Sequence, residues 1–166
     1  LPMSLDLSTV SPRTAELTTL LSREARLLDQ REFAAWLELL DDTLRYWAPV
    51  RSNVDHEGLE APNLLVHFDE GKAELAERLR APIDPTRPRP RVRRLVTNVL
   101  VLDEAPLWVE LASSLLVTVS HDDHAAKVYS AGREDRWVRT DRGTWRLCAR
   151  RLLLDSGTAE GLSAWA

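Results

Sequence analysis

Several groups of residues in this chain carry side chains that could do chemistry, and each is weighed against its local context. His121-Asp122-Asp123-His124 joins imidazoles to carboxylates, the donor types of many metal sites. Neighbouring side chains in a tight turn diverge, however, and Asp is favoured there because its carboxylate bonds nearby backbone N–H groups. The cluster reads as a solvated turn. His67 and Asp69 are spaced so that a strand would put both on one face, a possible base and its orienter. Asp69 equally suits the N-cap of a following helix, with His67 packed at a strand edge. Cys148 has no His near it in sequence to activate it and reads as a buried, inert thiol. No phosphate loop, dinucleotide glycine pattern or serine elbow is present.

The strongest charge bias is Arg87-Pro88-Arg89-Pro90-Arg91-Val92-Arg93-Arg94. Proline-rich backbone is extended, so alternate arginines line one side of the strand they enter. The run reads either as a docking edge for a partner's carboxylates, which guanidinium binds bidentately, or as a solvated linker with internal ion pairs. The chain has 6 Trp. Trp36, Trp47 and Trp145 fall on apolar faces and are expected in the core. Trp108 and Trp137 lie out of phase with their strands' apolar set or near a strand end, and are expected to mark a contact surface.

Composition narrows the function classes. At 166 residues, 44% hydrophobic and 29% charged, the chain reads as one soluble domain spanning 1–166, with 1–10 as a flexible arm and Met3 as the expected natural start. The net charge of −4 removes the electrostatic term that nucleic-acid binding needs. A single Cys excludes an internal disulfide and is too few for a thiolate-built zinc or iron–sulfur site. With no membrane-length apolar run and no secretory signal, the expected location is the cytoplasm.

The elements that would position these residues divide into halves. Ser11-Pro12 is a good N-cap and first helical position. Leu17, Leu20, Leu21, Ala25 and Leu28 then form an apolar stripe, with Arg23, Glu24, Arg26 and Asp29 assigned to the opposite face. A short second helix carries Phe33, Trp36, Leu37 and Leu40, and a strand runs from Thr43 to Val50. Residues 51–68 read as a long loop ending in a short strand at Leu64–Phe68. Asp69 would cap a third helix through Arg80, and Pro82, Pro85, Pro88 and Pro90 form a linker. Four apolar runs near 92–103, 107–120, 125–139 and 144–154, joined by short turns, predict an antiparallel meander. The first run is apolar on both faces, which predicts a central, covered strand. Helices first and strands afterwards predict an α+β fold: a bent sheet closed over by the N-terminal helices.

A family resemblance rests on residues in order along most of the chain. Glu24-Ala25-Arg26-Leu27-Leu28-Asp29, Phe33, Trp36-Leu37, Leu39 and Arg45-Tyr46-Trp47-Ala48-Pro49-Val50-Arg51 resemble the opening of the beta subunits of aromatic-ring-hydroxylating dioxygenases. His67-Phe68-Asp69-Glu70-Gly71-Lys72, Arg93 to Val99, Tyr129 to Asp135, Gly143 to Leu147 and Arg150 to Asp155 continue the likeness.

The resemblance implies a cystatin-like, NTF2-like cone, a curved, mixed and largely antiparallel sheet with helices on its concave side. It also implies a partner, the alpha subunit with a Rieske iron–sulfur cluster and mononuclear iron, with no cofactor in this chain. The implied assembly is an α3β3 hexamer on a trimeric base of beta subunits, dihydroxylating aromatic rings with O₂ and NAD(P)H-derived electrons. Arg94 departs from the family, which often has His there, near the catalytic histidine of enzymatic relatives of the fold. Arginine cannot serve as a neutral base near pH 7. The ending Leu162-Ser163-Ala164-Trp165-Ala166 departs too, since the family tends to end in paired aromatic or aliphatic residues.

The leading expectation is a non-catalytic scaffold, with Arg45, Tyr46, Arg51, Arg91, Arg93, Arg94 and Arg133 as interface or ion-pair residues. The alternatives are a stand-alone dehydratase or isomerase using His67 and Asp69, or a small-ligand binding protein.

Overall fold

The computed structural model describes residues 12–50, 66–80, 89–121 and 125–155. The arm expected at 1–10, most of the 51–68 loop, the start of the proline linker, Asp122 to His124 and the tail lie outside the described residues, as does Arg51. Helix α1 spans Pro12–Asp29 and α2 Phe33–Leu37; β1 is Leu40–Pro49, β2 Val66–Glu70, and α3 Lys72–Leu79. Strands β3 (Arg91–Ala105), β4 (Trp108–Ser120), β5 (Lys127–Arg139) and β6 (Trp145–Leu154) follow. They form one 6-stranded sheet in the order β2-β1-β6-β5-β4-β3. The expected meander is present, and the β1–β6 contact is parallel, which makes the sheet mixed.

Helix α1 packs on the concave side through Leu17, Leu21, Ala25 and Leu28, all buried. It stops at a Schellman turn: Arg31 N–H donates to Leu28 O at 3.2 Å and Glu32 N–H to Leu27 O at 2.9 Å. Arg31, at φ 61, takes the left-handed position that glycine usually holds. Strand β4 alternates throughout, with Val109, Leu111, Leu115, Val117 and Val119 inward. Tyr46 on β1 stacks against Phe68 on β2 at 5.4 Å between ring centroids, sealing the core at that end of the sheet.

Four expectations need correction. Leu40 opens β1 instead of extending α2. Asp69 lies within β2, where it faces Trp47 across the ladder, and Gly71 holds the cap position of α3. The Gly71 N–H donates to Glu74 Oε2 at 3.0 Å, so the third residue of the helix satisfies the backbone N–H of its cap. Strand β3 is the last of the sheet rather than a covered central strand, and Leu95, Leu100 and Leu102 are 52%, 61% and 53% exposed. Its second apolar face has no cover from the described residues. Trp47 sits half-buried on the outer face under Arg45, with the guanidinium 4.5 Å from its ring, rather than in the core.

The β3–β4 ladder slips between Thr97 and Leu100, and Asn98 at that point adopts φ 54. Its Nδ2 donates to Ser114 Oγ at 3.2 Å. Asparagine tolerates this conformation, whereas a β-branched residue pays a steric cost of about 1–2 kcal/mol. Asn98→Val should lower the unfolding free energy by about that amount, and Asn98→Gly should stay within about 0.5 kcal/mol of wild type in denaturant titrations.

Candidate functional site

In a cone of this kind the place for a ligand is the concave interior beneath α1. The side chains that meet there are charged. Glu24 comes from α1, Arg133 and Asp135 from β5, and Arg150 from β6; all are buried, at 1%, 5%, 3% and 2% exposure. Arg150 is the hub. Its Nε and Nη2 donate to Asp135 Oδ1 and Oδ2 at 2.8 Å each, while Nη1 and Nη2 donate to Glu24 Oε1 and Oε2 at 2.6 and 2.9 Å. Arg133 Nε donates to Ser113 Oγ at 3.2 Å. Its Nη2 lies 3.2 Å from Asp135 Oδ2 without the alignment of a hydrogen bond, and its Nη1 lies 3.6 Å from Glu24 Oε2.

Aromatic groups complete the shell. Trp36 Nε1 donates to Glu24 Oε1 at 3.1 Å and Trp137 Nε1 to Asp135 Oδ2 at 3.4 Å, and Arg150 lies over the buried Tyr46 ring at 5.6 Å.

Two carboxylates and two guanidiniums cancel. Burial works against the Glu24 carboxylate, but Arg150 and Arg133 outweigh it and bring its pKa down to about 2. For Arg150 burial is outweighed by Asp135 and Glu24, so its pKa is raised; for Arg133 burial and repulsion from Arg150 prevail and lower it. The contrast follows from geometry, because Arg150 has the bidentate contacts and Arg133 the looser ones. Both remain protonated near neutrality. The space left among Glu24, Tyr46, Arg94, Arg133 and Arg150 is a cavity of about 10 Å³. That is about the room of one water molecule, far below the several hundred Å³ of a ligand pocket.

The remaining sequence candidates lie elsewhere. Phe68 faces the core, so its strand neighbours His67 and Asp69 take the outer face, and Arg45 binds the Asp69 carboxylate at 2.8 Å. The structure does not bring this pair to the interior. Arg94 is paired with Asp29 of α1, Nη1 to Oδ1 at 2.8 Å, while Arg91 and Arg93 are exposed. Trp137, expected outside, is 0% exposed because β5 alternates Ala131, Arg133, Asp135 and Trp137 inward. Cys148 is half-buried, its thiol bonded to Arg136 O at 3.3 Å, and burial raises its pKa.

Sequence reasoning assigned Glu24 to the solvent face because it is charged. Yet Glu24 is seven residues from Leu17, a displacement of only about 20° around a helix. The spacing carried the signal, and the residue type masked it.

Residues 23–160 match the family model described as ring hydroxylating beta subunit. This chain belongs to the ring-hydroxylating beta subunit family.

The small oxygenase component of the naphthalene 1,2-dioxygenase system of Pseudomonas aeruginosa is 31% identical over 143 residues, covering 81% of this chain and 74% of that protein. The beta subunit of an N,N-dimethyl phenylurea N-demethylase from Sphingobium sp. (strain YBL2) is 33% identical over 140 residues, covering 81% and 79%. A solved structure of naphthalene 1,2-dioxygenase with indole in its active site superposes with a TM-score of 0.74 at 25% identity, over 87% of this chain and 80% of that one. The fold is the cystatin-like, NTF2-like cone.

For a member of this family, the fit to the metals named by the resemblance can be tested on its own residues. A Rieske cluster takes two cysteines and two histidines, and this beta subunit has 1 Cys. Among the described residues no three His, Cys, Asp or Glu side chains gather as a metal set. The carboxylates of the core cluster are already engaged by arginine. The chain's residues do not fit that cluster.

Removing one partner from a buried charge cluster costs about 3–5 kcal/mol, so Glu24→Gln should destabilise the folded chain by that order at neutral pH. The folded pKa of Glu24 lies below its ordinary 4.5, so its stabilisation is complete above pH 4.5 and fades as pH falls toward 2. Denaturant titrations of both proteins should show the gap between wild type and Glu24→Gln shrinking by about 3 kcal/mol across that window. A gap that does not change with pH would count against this account.

Proposed function

We propose that this chain is the non-catalytic small subunit of a ring-hydroxylating dioxygenase, a scaffold for the alpha subunit that carries the Rieske cluster and mononuclear iron. The observation that carries the reading is the interior of the cone. Beneath α1 a neutral lattice of four buried charged groups leaves about 10 Å³ of space, and the larger volume beside it, about 1390 Å³ along α1 and β3–β5, is a groove open at the surface. A rigid, filled interior suits a body that offers shape and contact surface.

In this reading three copies form a trimeric base beneath three alpha subunits. The assembly inserts both atoms of O₂ into an aromatic ring with electrons from NAD(P)H, in the cytoplasm, and the chemistry stays on the partner. The family match and the relatives named as small oxygenase components support the reading. No helix among the described residues is long and apolar enough to cross a membrane.

The test is reconstitution with the alpha subunit that accompanies this chain. Co-expressed, the two should co-elute as one species by size exclusion with multi-angle light scattering, and ring oxidation should fall to background when this chain is omitted. The isolated chain should self-associate and show no turnover of candidate aromatic or dehydratase substrates. An isolated monomer with turnover of its own, or a failure to co-elute, would overturn the proposal.

A further inference from the structure

The arginine run has a three-dimensional setting that the scaffold reading does not use. Between the α1–α2 turn, the end of α3 and the start of β3 lies a cleft of about 310 Å³. Arg31, Arg78, Arg89, Arg91, Arg93 and Arg94 line it, with Phe33, Trp36 and Leu79 among its apolar lining; Asp29 is the one carboxylate among the described residues that line it. Asp29 is taken by Arg94, and Arg78 is held by Glu70 at 2.9 Å. Arg31, Arg89 and Arg93 have no ion pair to a carboxylate among the described residues. Arg31 is nonetheless fixed in place: its backbone occupies the left-handed turn position and its Nη2 donates to Pro90 O at 3.3 Å. Burial and repulsion from Arg89 and Arg94 lower its pKa. Like charges are thus held together in a chain whose net charge is −4. An anion in the cleft would relieve their mutual repulsion.

The shape of the cleft selects among anions. Arg91 and Arg93 stand opposite Ser120 and Thr118 on β4, on one face of the strand and about 7 Å apart. With Arg89 the row extends over about 13 Å of chain, longer than a single phosphate or carboxylate spans. Strand β3 also ends the sheet, so its outer backbone edge has no strand neighbour among the described residues. An extended segment with carboxylates at alternate positions would meet both the row and the edge.

Several of this chain's own surface carboxylates are already paired. Asp42 holds Lys72, Asp69 holds Arg45, Glu104 holds Arg13, Glu110 holds Arg136 and Glu134 holds Arg151. The basic lining and open strand edge call for a partner that presents an acidic, extended segment.

We infer that the cleft around Arg31, Arg89 and Arg93 is the docking site for an extended acidic segment of the alpha subunit. The inference rests on the scaffold reading and names the contact chemistry that reading leaves open. The probe is the alpha subunit itself, its binding to this chain measured by biolayer interferometry at low and moderate NaCl. The test variant is the double replacement Arg89→Glu with Arg93→Glu, checked for fold by circular dichroism and for self-association by light scattering. Charge reversal at both sites should weaken alpha-subunit binding by about 100-fold or more, abolish most of its salt dependence, and leave self-association unchanged.

Equal binding by variant and wild type would overturn the inference while the scaffold reading stands. Loss of self-association with alpha binding intact would also overturn it and assign the cleft to a second copy. Should wild type itself fail to bind, the scaffold reading falls and this inference with it. If charge reversal prevents folding, the milder pair Arg89→Gln and Arg93→Gln carries the test, with a weakening of about tenfold expected.

Discussion

The structure depends on charge neutrality inside an apolar cone. A lone ion in such an interior costs several kcal/mol, and attraction between buried ions offsets that cost only when the geometry is good and the remaining lone pairs are satisfied. Glu24 and Asp135 meet this condition around Arg150, whose guanidinium serves both carboxylates. The participants come from α1, β5 and β6, so no single element can form the cluster alone. Helix α1 must dock in one register on the β5–β6 pair for the charges to cancel, and a docking shifted by one turn would leave a buried ion unpaired. An apolar core of the same volume could be as stable; what the ions add is a penalty on every other arrangement.

That choice of core has a spatial consequence. The charge cluster fills the space beneath α1 to within about 10 Å³, while the larger volumes lie at the surface, as in the groove of about 1390 Å³ along α1 and β3–β5. Leu95, Leu100 and Leu102 on the outer face of β3 stay exposed, which is the pattern of a surface that awaits a neighbour. Ladder slips at Thr97/Leu100 and Val101/Asp103 bend that strand, and such bulges hinder unwanted edge-to-edge pairing. The open edge is thus kept from indiscriminate association while its basic beginning remains accessible.

Aromatic side chains mediate between the charged and apolar parts. Trp36 and Trp137 use their indole N–H groups on the two core carboxylates while their ring bodies fill the interior. Outside, Trp108 lies under Arg136 at 4.8 Å and Trp47 under Arg45. The same residue type closes the core on one side of the sheet and carries surface cations on the other.

Local information in the chain was enough for the helix stripe of Leu17, Leu21, Ala25 and Leu28, for the alternation in β4, and for the four-strand meander. These follow from periods of 3.6 and 2 together with short turns, which act over a few neighbouring residues. Local pattern cannot say which end of the meander meets β1, so the apolar run at Leu95–Leu102 reads as central although it forms an edge. It also could not say that Glu24, Arg133, Asp135 and Arg150 converge, since they are up to 126 residues apart in sequence and each alone reads as a solvated charge. Burial of a charge is decided by its partners. Those partners are set by the docking of α1 across the concave sheet, which only the tertiary structure defines.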